Sequence, residues 1–170
     1  NTMESVLDRV IKQNTENINL LKTKDYNIFS VLQIQSKEVL ICRMIADLLN
    51  PRGQHGAGAE YLKIFLRDCL GMEKMDTKLA DQAIVTAEYA IDDERRIDIV
   101  IEIGSHFLPI EVKIYAADQK SQCFDYYQYA KRRDAQAKVY YLTLDGHRPG
   151  KDSTSSGNRS VTEEDIVCLS

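Results

Sequence analysis

At 170 residues the chain suits one compact domain and is too short to expect two. An apolar share of 44% and a charged share of 28% are ordinary for a globular protein, and no apolar run approaches the ~18 residues of a membrane span. The net charge of −4 speaks mildly against a protein held to nucleic acid by basic surface alone. Positive charge is nevertheless concentrated at Lys131, Arg132 and Arg133, and again at His147, Arg148 and Lys151. A solvated helix end and a solvated loop account for both clusters equally well. The first residues, with Glu4, Asp8 and Arg9 among scattered apolar positions, lack the apolar centre of a secretory signal, so a cytoplasmic location is the default expectation. Cys42, Cys69, Cys123 and Cys168 form no CxxC pair, which points to reduced, mostly buried thiols.

Residues 4–22 show a rough helical pattern through Val6, Val10, Ile11, Ile18, Leu20 and Leu21, read as part of an N-terminal helical extension over 1–26. A clearer helix starts near Ser36 as N-cap and carries Val39, Leu40, Met44, Ile45, Leu48 and Leu49 on one face, with Pro51 and Gly53 ending it. The segment from Gly53 to Gly58 is a glycine-rich loop. A second helix covers roughly 59–70 and stops at Gly71. The period then changes. Residues 83–91 read as a strand, Asp92, Asp93 and Glu94 break it, and Ile97, Ile99, Ile101 and Ile103 alternate without a fault. Gly104-Ser105 suits a two-residue turn into a returning strand, His106 to Ile114. A helix at about 117–133 and a strand at 137–144 follow. Residues 145–160 read as a flexible loop, and Thr162 to Asp165 as a helical turn before a final apolar stretch. The abrupt stop after Leu169 suggests a missing last element. The order predicts a single α/β domain: a mixed central sheet flanked by helices.

A turn at Gly104-Ser105 sets Asp98 opposite Glu111. The isoleucines then share a face with Leu108, Ile110 and Val112, while Asp98, Glu111 and Lys113 share the other. Two opposed carboxylates repel unless positive charge lies between them, and an oxygen-liganded Mg²⁺ resolves that conflict better than Lys113 alone. Phosphodiester hydrolysis uses those parts: carboxylates to hold a metal, and an ammonium to position water or offset developing charge. The plainer reading is a solvated sheet face with cross-strand ion pairs.

The segments ERRIDIVIEI, LPIEVKIYAADQKSQ and FDYYQYAK resemble the PD-(D/E)XK nuclease superfamily, and within it a bacterial, largely uncharacterised family with a RecB-like QxxxY motif. KEVLICRMIADLLNPRGQHGAG resembles the helical segment of the same family, and the likeness spans about residues 27–144. It implies a restriction-endonuclease-like core and a nuclease that cleaves DNA with Mg²⁺, Mn²⁺ being the alternative. It places Asp98, Glu111 and Lys113 on the catalytic D…ExK positions. Asp98, Glu111, the backbone carbonyl of Val112 and, as an outer acid, Glu38 become the metal ligands. Gln122 and Tyr126 match QxxxY; with Gln119 they contact substrate or orient the site, and His55 is a weaker candidate. Glu88 on the preceding strand is a further acid that can face the site. The proline before the first acid is replaced by Ile97, and the family's histidine after the N-terminal Glu is absent from Leu40-Ile41-Cys42. The partner implied is DNA, with no membrane, and a homodimer is compatible with cutting both strands. The alternative is a nuclease fold without turnover that binds nucleic acid or protein.

Overall fold

A computed structural model describes residues 37–73 and 75–170. The expected 1–26 extension and the Ser36 cap lie outside them. The described chain runs α1 (Glu38–Leu49), α2 (Glu60–Ile64), a π-helical turn (Phe65–Cys69), α3 (Thr77–Ala80), β1 (Ile84–Ala90), β2 (Arg96–Ile103) and β3 (His106–Lys113). It continues through α4 (Gln122–Arg133), β4 (Val139–Thr143), α5 (Lys151–Thr154), β5 (Ser155–Ser156), β6 (Arg159–Ser160), a 3-10 turn (Glu163–Asp165) and β7 (Ile166–Leu169).

Five strands form a mixed sheet in the order β1-β2-β3-β4-β7. β1, β2 and β3 pair antiparallel, and β4 and β7 continue in parallel. The β3–α4–β4 crossover supplies the parallel neighbour that a short turn cannot. Ile103 pairs with His106 around a two-residue turn, and Gly104 supplies its positive φ of 59°. This is the mixed, helix-flanked sheet that the element order predicts, and it agrees with the restriction-endonuclease-like core that the resemblance implies.

The sheet is covered on both faces. Cys42, Ala46 and Leu49 of α1 and Leu62 of α2 pack with Ile99, Ile101, Ile103, Leu108, Ile110 and Val112. Cys123, Phe124, Tyr126 and Ala130 of α4 pack with Val100, Phe107, Val139 and Tyr141 on the opposite face. The buried stripe of α1 differs from the expected one. Val39, Leu40, Met44 and Leu48 are more than a third exposed, while the small Cys42 and Ala46 face the sheet, where a short side chain permits close approach.

The run of isoleucines also breaks its alternation. Ile97 joins the α4 side, although Ile99, Ile101 and Ile103 face α1. β1 switches in the same way, with Val85 and Ala87 against the α1 side and Tyr89 and Ile91 against the α4 side. The switch coincides with Glu88, whose φ of 53° is unusual for a residue with a Cβ and costs ~1–2 kcal/mol. Pairing between β1 and β2 is kept on both sides of that point, from Ala87–Ile99 to Tyr89–Ile97.

The stretch 145–160, expected as a flexible loop, instead carries α5 and the β5–β6 pair. Its polar side chains find local partners. Ser121 Oγ donates to the carbonyl of Ser155 (2.7 Å), and Ser153 Oγ accepts from the amide of Cys123 (3.3 Å), so the segment is tied to the start of α4. The final apolar residues form β7 at the sheet edge. All four cysteines are free, with Cys42 and Cys123 buried and Cys69 exposed. Among the described residues no helix is long and apolar enough to cross a membrane.

Candidate active site

A cleft of about 260 Å³ opens beside the ends of β2 and β3 and the start of α4. Asp98, Glu111 and Lys113 line it, together with Glu38, Gln119, Gln122 and Tyr126. Seven of the nine side chains singled out in the sequence thus meet in one place, His55 and Glu88 being the exceptions.

The β2–β3 register explains the first three. Ile99 pairs with Ile110, as the turn length requires, so the next step outward brings Asp98 beside Glu111. There Asp98 Oδ2 accepts a hydrogen bond from the Val112 amide at 2.8 Å. Glu111 is 1% exposed, and neither of its oxygens accepts a hydrogen bond of good geometry. Lys113 Nζ stands 2.6 Å from Glu111 Oε1 as an ion-pair contact, off the hydrogen-bond angle. Burial pushes the Glu111 carboxyl up to about 8, and the neighbouring Asp98 charge adds to the rise. Burial also raises Asp98, against the pull of the Val112 amide and Lys113. For Lys113, burial works downward, but Glu111 and Asp98 outweigh it and hold the ammonium above its ordinary range. The site is short of positive charge.

Glu38 lines the cleft with one oxygen already engaged by backbone. Its Oε1 accepts from three successive amides, Ile114 (2.7 Å), Tyr115 (2.6 Å) and Ala116 (2.9 Å). Burial works to raise its pKa, yet those donors and Lys113 together hold the carboxyl below its ordinary value. The acid pins the backbone that leaves Lys113.

Gln122 and Tyr126 lie one turn apart on α4, 5% and 1% exposed. Gln122 Nε2 donates to Tyr126 Oη (3.0 Å), and Tyr126 Oη donates to the carbonyl of Arg96, two residues before Asp98. The pair braces β2 as well as lining the cleft. Gln119 reaches the Gln122 side chain through its amide (3.4 Å), and its own side chain accepts from Arg95 Nη1 (2.9 Å).

His55 is not brought to the cleft. Its Nδ1 accepts from the Ala57 amide (3.0 Å), so its Nε2 is the protonated nitrogen and donates to the Asn50 carbonyl (3.1 Å). Both ring nitrogens serve their own loop. Glu88 is held by Arg43 of α1, with Nε at 3.0 Å.

Arg95 was not singled out by the sequence. It lines the cleft, donates to Gln119 and to the Lys120 carbonyl (2.6 Å), and ion-pairs with Asp125 of α4 at 3.2 Å. Its place directly after the acidic break at 92–94 was the available signal.

The model of the PD-(D/E)XK nuclease superfamily matches residues 26–165, most of the chain. The chain belongs to the PD-(D/E)XK nuclease superfamily. No curated protein and no solved structure matches it. In this member, no group of three or more His, Cys, Asp or Glu side chains among the described residues is placed to hold a metal ion. The donors still suit one. Asp98 and Glu111 offer hard carboxylate oxygens, those of Glu111 accept no well-aligned hydrogen bond, and Mg²⁺ is commonly held by one or two carboxylates completed by water and substrate phosphate.

Proposed function

We propose that this superfamily member hydrolyses DNA phosphodiester bonds with a divalent cation, Mg²⁺ or Mn²⁺, at Asp98, Glu111 and Lys113. The observation that carries the reading is Glu111: a buried carboxyl group that accepts no well-aligned hydrogen bond, set beside Asp98 and only partly compensated by the close Lys113 ammonium. Such an arrangement is costly in a purely structural role and is relieved by a bound cation.

Asp98 and Glu111 are the ligands in this reading, with the Val112 carbonyl as a third. When bound, the cation polarises the phosphate and acidifies a water. Lys113 orients that water and offsets the charge that develops on the phosphate oxygens. Glu38 acts at one remove, fixing the backbone after Lys113 through its three amide bonds. Gln122 and Tyr126 keep β2 in place, and Gln119 stands at the mouth where substrate enters. His55 takes no part.

A second reading, a nuclease fold that binds nucleic acid or protein without turnover, is favoured by the lack of a third metal-ligating side chain among the described residues. A cleavage assay decides between them. Linear and circular, single- and double-stranded DNA are incubated with wild type and Lys113→Ala in Mg²⁺, Mn²⁺ and EDTA. Metal-dependent cutting that is lost in the variant is expected. Folded wild type that cuts no substrate in either metal transfers the site to the binding reading.

A further inference from the structure

A second groove, of about 400 Å³, lies along α4. Phe124, Asp125, Gln128, Tyr129 and Arg132 of α4 line it, together with Asp92 and with Arg159 of β6. Arg95 joins the two: it lines the catalytic cleft, and its ion-pair partner Asp125 lines the groove.

Two guanidiniums in the groove are set on aromatic rings. Arg159 lies over Phe124 (5.3 Å to the ring centroid) and Arg132 over Tyr129 (5.6 Å). Neither has a carboxylate ion-pair partner among the described residues, whereas their neighbours Lys131 and Arg133 are paired with Asp165 and Glu102. A ring fixes the plane of a guanidinium while leaving its edge N–H groups available, which suits phosphate oxygens. The β5–β6 segment that presents Arg159 is fastened to the start of α4 through Ser121 and Cys123, beside Gln122 of the catalytic cleft. Arg159 is therefore held in a fixed relation to the site.

We propose that this groove binds the sugar–phosphate backbone of the strand whose neighbouring phosphate enters the catalytic cleft, with Arg132 and Arg159 as its phosphate contacts. The proposal rests on the nuclease reading for its substrate.

The test is the affinity of the full chain for a fluorescently labelled DNA oligonucleotide, single-stranded and duplex, in EDTA and in Ca²⁺ over a range of salt. Arg132→Gln and Arg159→Gln are each expected to weaken binding about 3–10-fold and to reduce the slope against log salt by about one. Arg→Lys at either position should keep most of the slope. Lys78→Gln, on the opposite face of the sheet, should change neither, and thermal melting confirms that each variant is folded. Arginine variants that bind like wild type overturn the proposal and leave the catalytic reading standing if Mg²⁺-dependent cutting persists. Binding that depends on both arginines, in a protein that cuts nothing, supports the groove and removes the catalytic reading. Wild type that binds neither DNA form overturns the proposal.

Discussion

Lys113 Nζ lies 2.6 Å from Glu111 Oε1, and the two side chains are 7% and 1% exposed. The lysine is the only cation in contact with an otherwise unsatisfied carboxylate among the described residues. Replacing Lys113 by Met removes that compensation. Breaking a buried pair costs roughly 3–5 kcal/mol when the remaining charge stays ionised. Glu111 escapes that cost by holding a proton, so the loss should be small near pH 6 and approach the full range above pH 8. Denaturant melts at the two pH values check this; an equal loss at both contradicts it.

Glu111→Gln should stabilise the metal-free protein in alkaline solution. The folded carboxyl titrates near 8 against an ordinary value of 4.5. Between those values the native state binds the proton more tightly, so wild-type stability is full below 4.5 and declines as pH rises through about 8. The amide carries no such loss. Wild type should therefore lose Tm relative to Glu111→Gln between pH 5 and pH 9, and only wild type should regain it on adding Mg²⁺. Parallel Tm curves for the two proteins would refute the assignment.

Asp98→Asn keeps an acceptor for the Val112 amide and removes the charge. Stability should change by no more than about 1 kcal/mol, while cleavage should fall on the order of 10³-fold or more. Retained cutting at the wild-type rate removes Asp98 from the chemistry.

Glu38→Ala strands three amides at once, those of Ile114, Tyr115 and Ala116. A cost of roughly 1–3 kcal/mol is expected, with Glu38→Gln intermediate because its carbonyl still accepts. The folded carboxyl is held below its ordinary value, so the stabilisation it gives is present above 4.5 and is lost as pH falls through the folded pKa. The gap between wild type and Glu38→Ala should accordingly narrow in acid. A gap that is constant from pH 7 to pH 3 would show that the carboxylate charge is not what holds the turn.

Much of the candidate site was legible because its three central residues sit on a hairpin. A two-residue turn fixes register and strand alternation fixes faces, so Asp98, Glu111 and Lys113 can be brought together from local information alone. The same logic failed at Ile97. The face switch at Glu88 and its partner strand depends on a backbone conformation that a glutamate does not advertise. The buried stripe of α1 was misjudged for a related reason. Hydrophobicity ranks Val39 and Met44 above Ala46, but the sheet admits the smaller side chain.

The sequence by itself determined the α/β order and the β2–β3 pairing that brings Asp98, Glu111 and Lys113 together, since each is encoded within a few neighbouring positions. Tertiary structure alone decided that Glu38 spends its carboxylate on amides 76 to 78 residues away, that His55 closes its own loop, and that Arg159 is carried to α4. Those outcomes depend on which donor reaches which acceptor once distant segments pack, and a polar side chain carries no local mark of the partner it will meet.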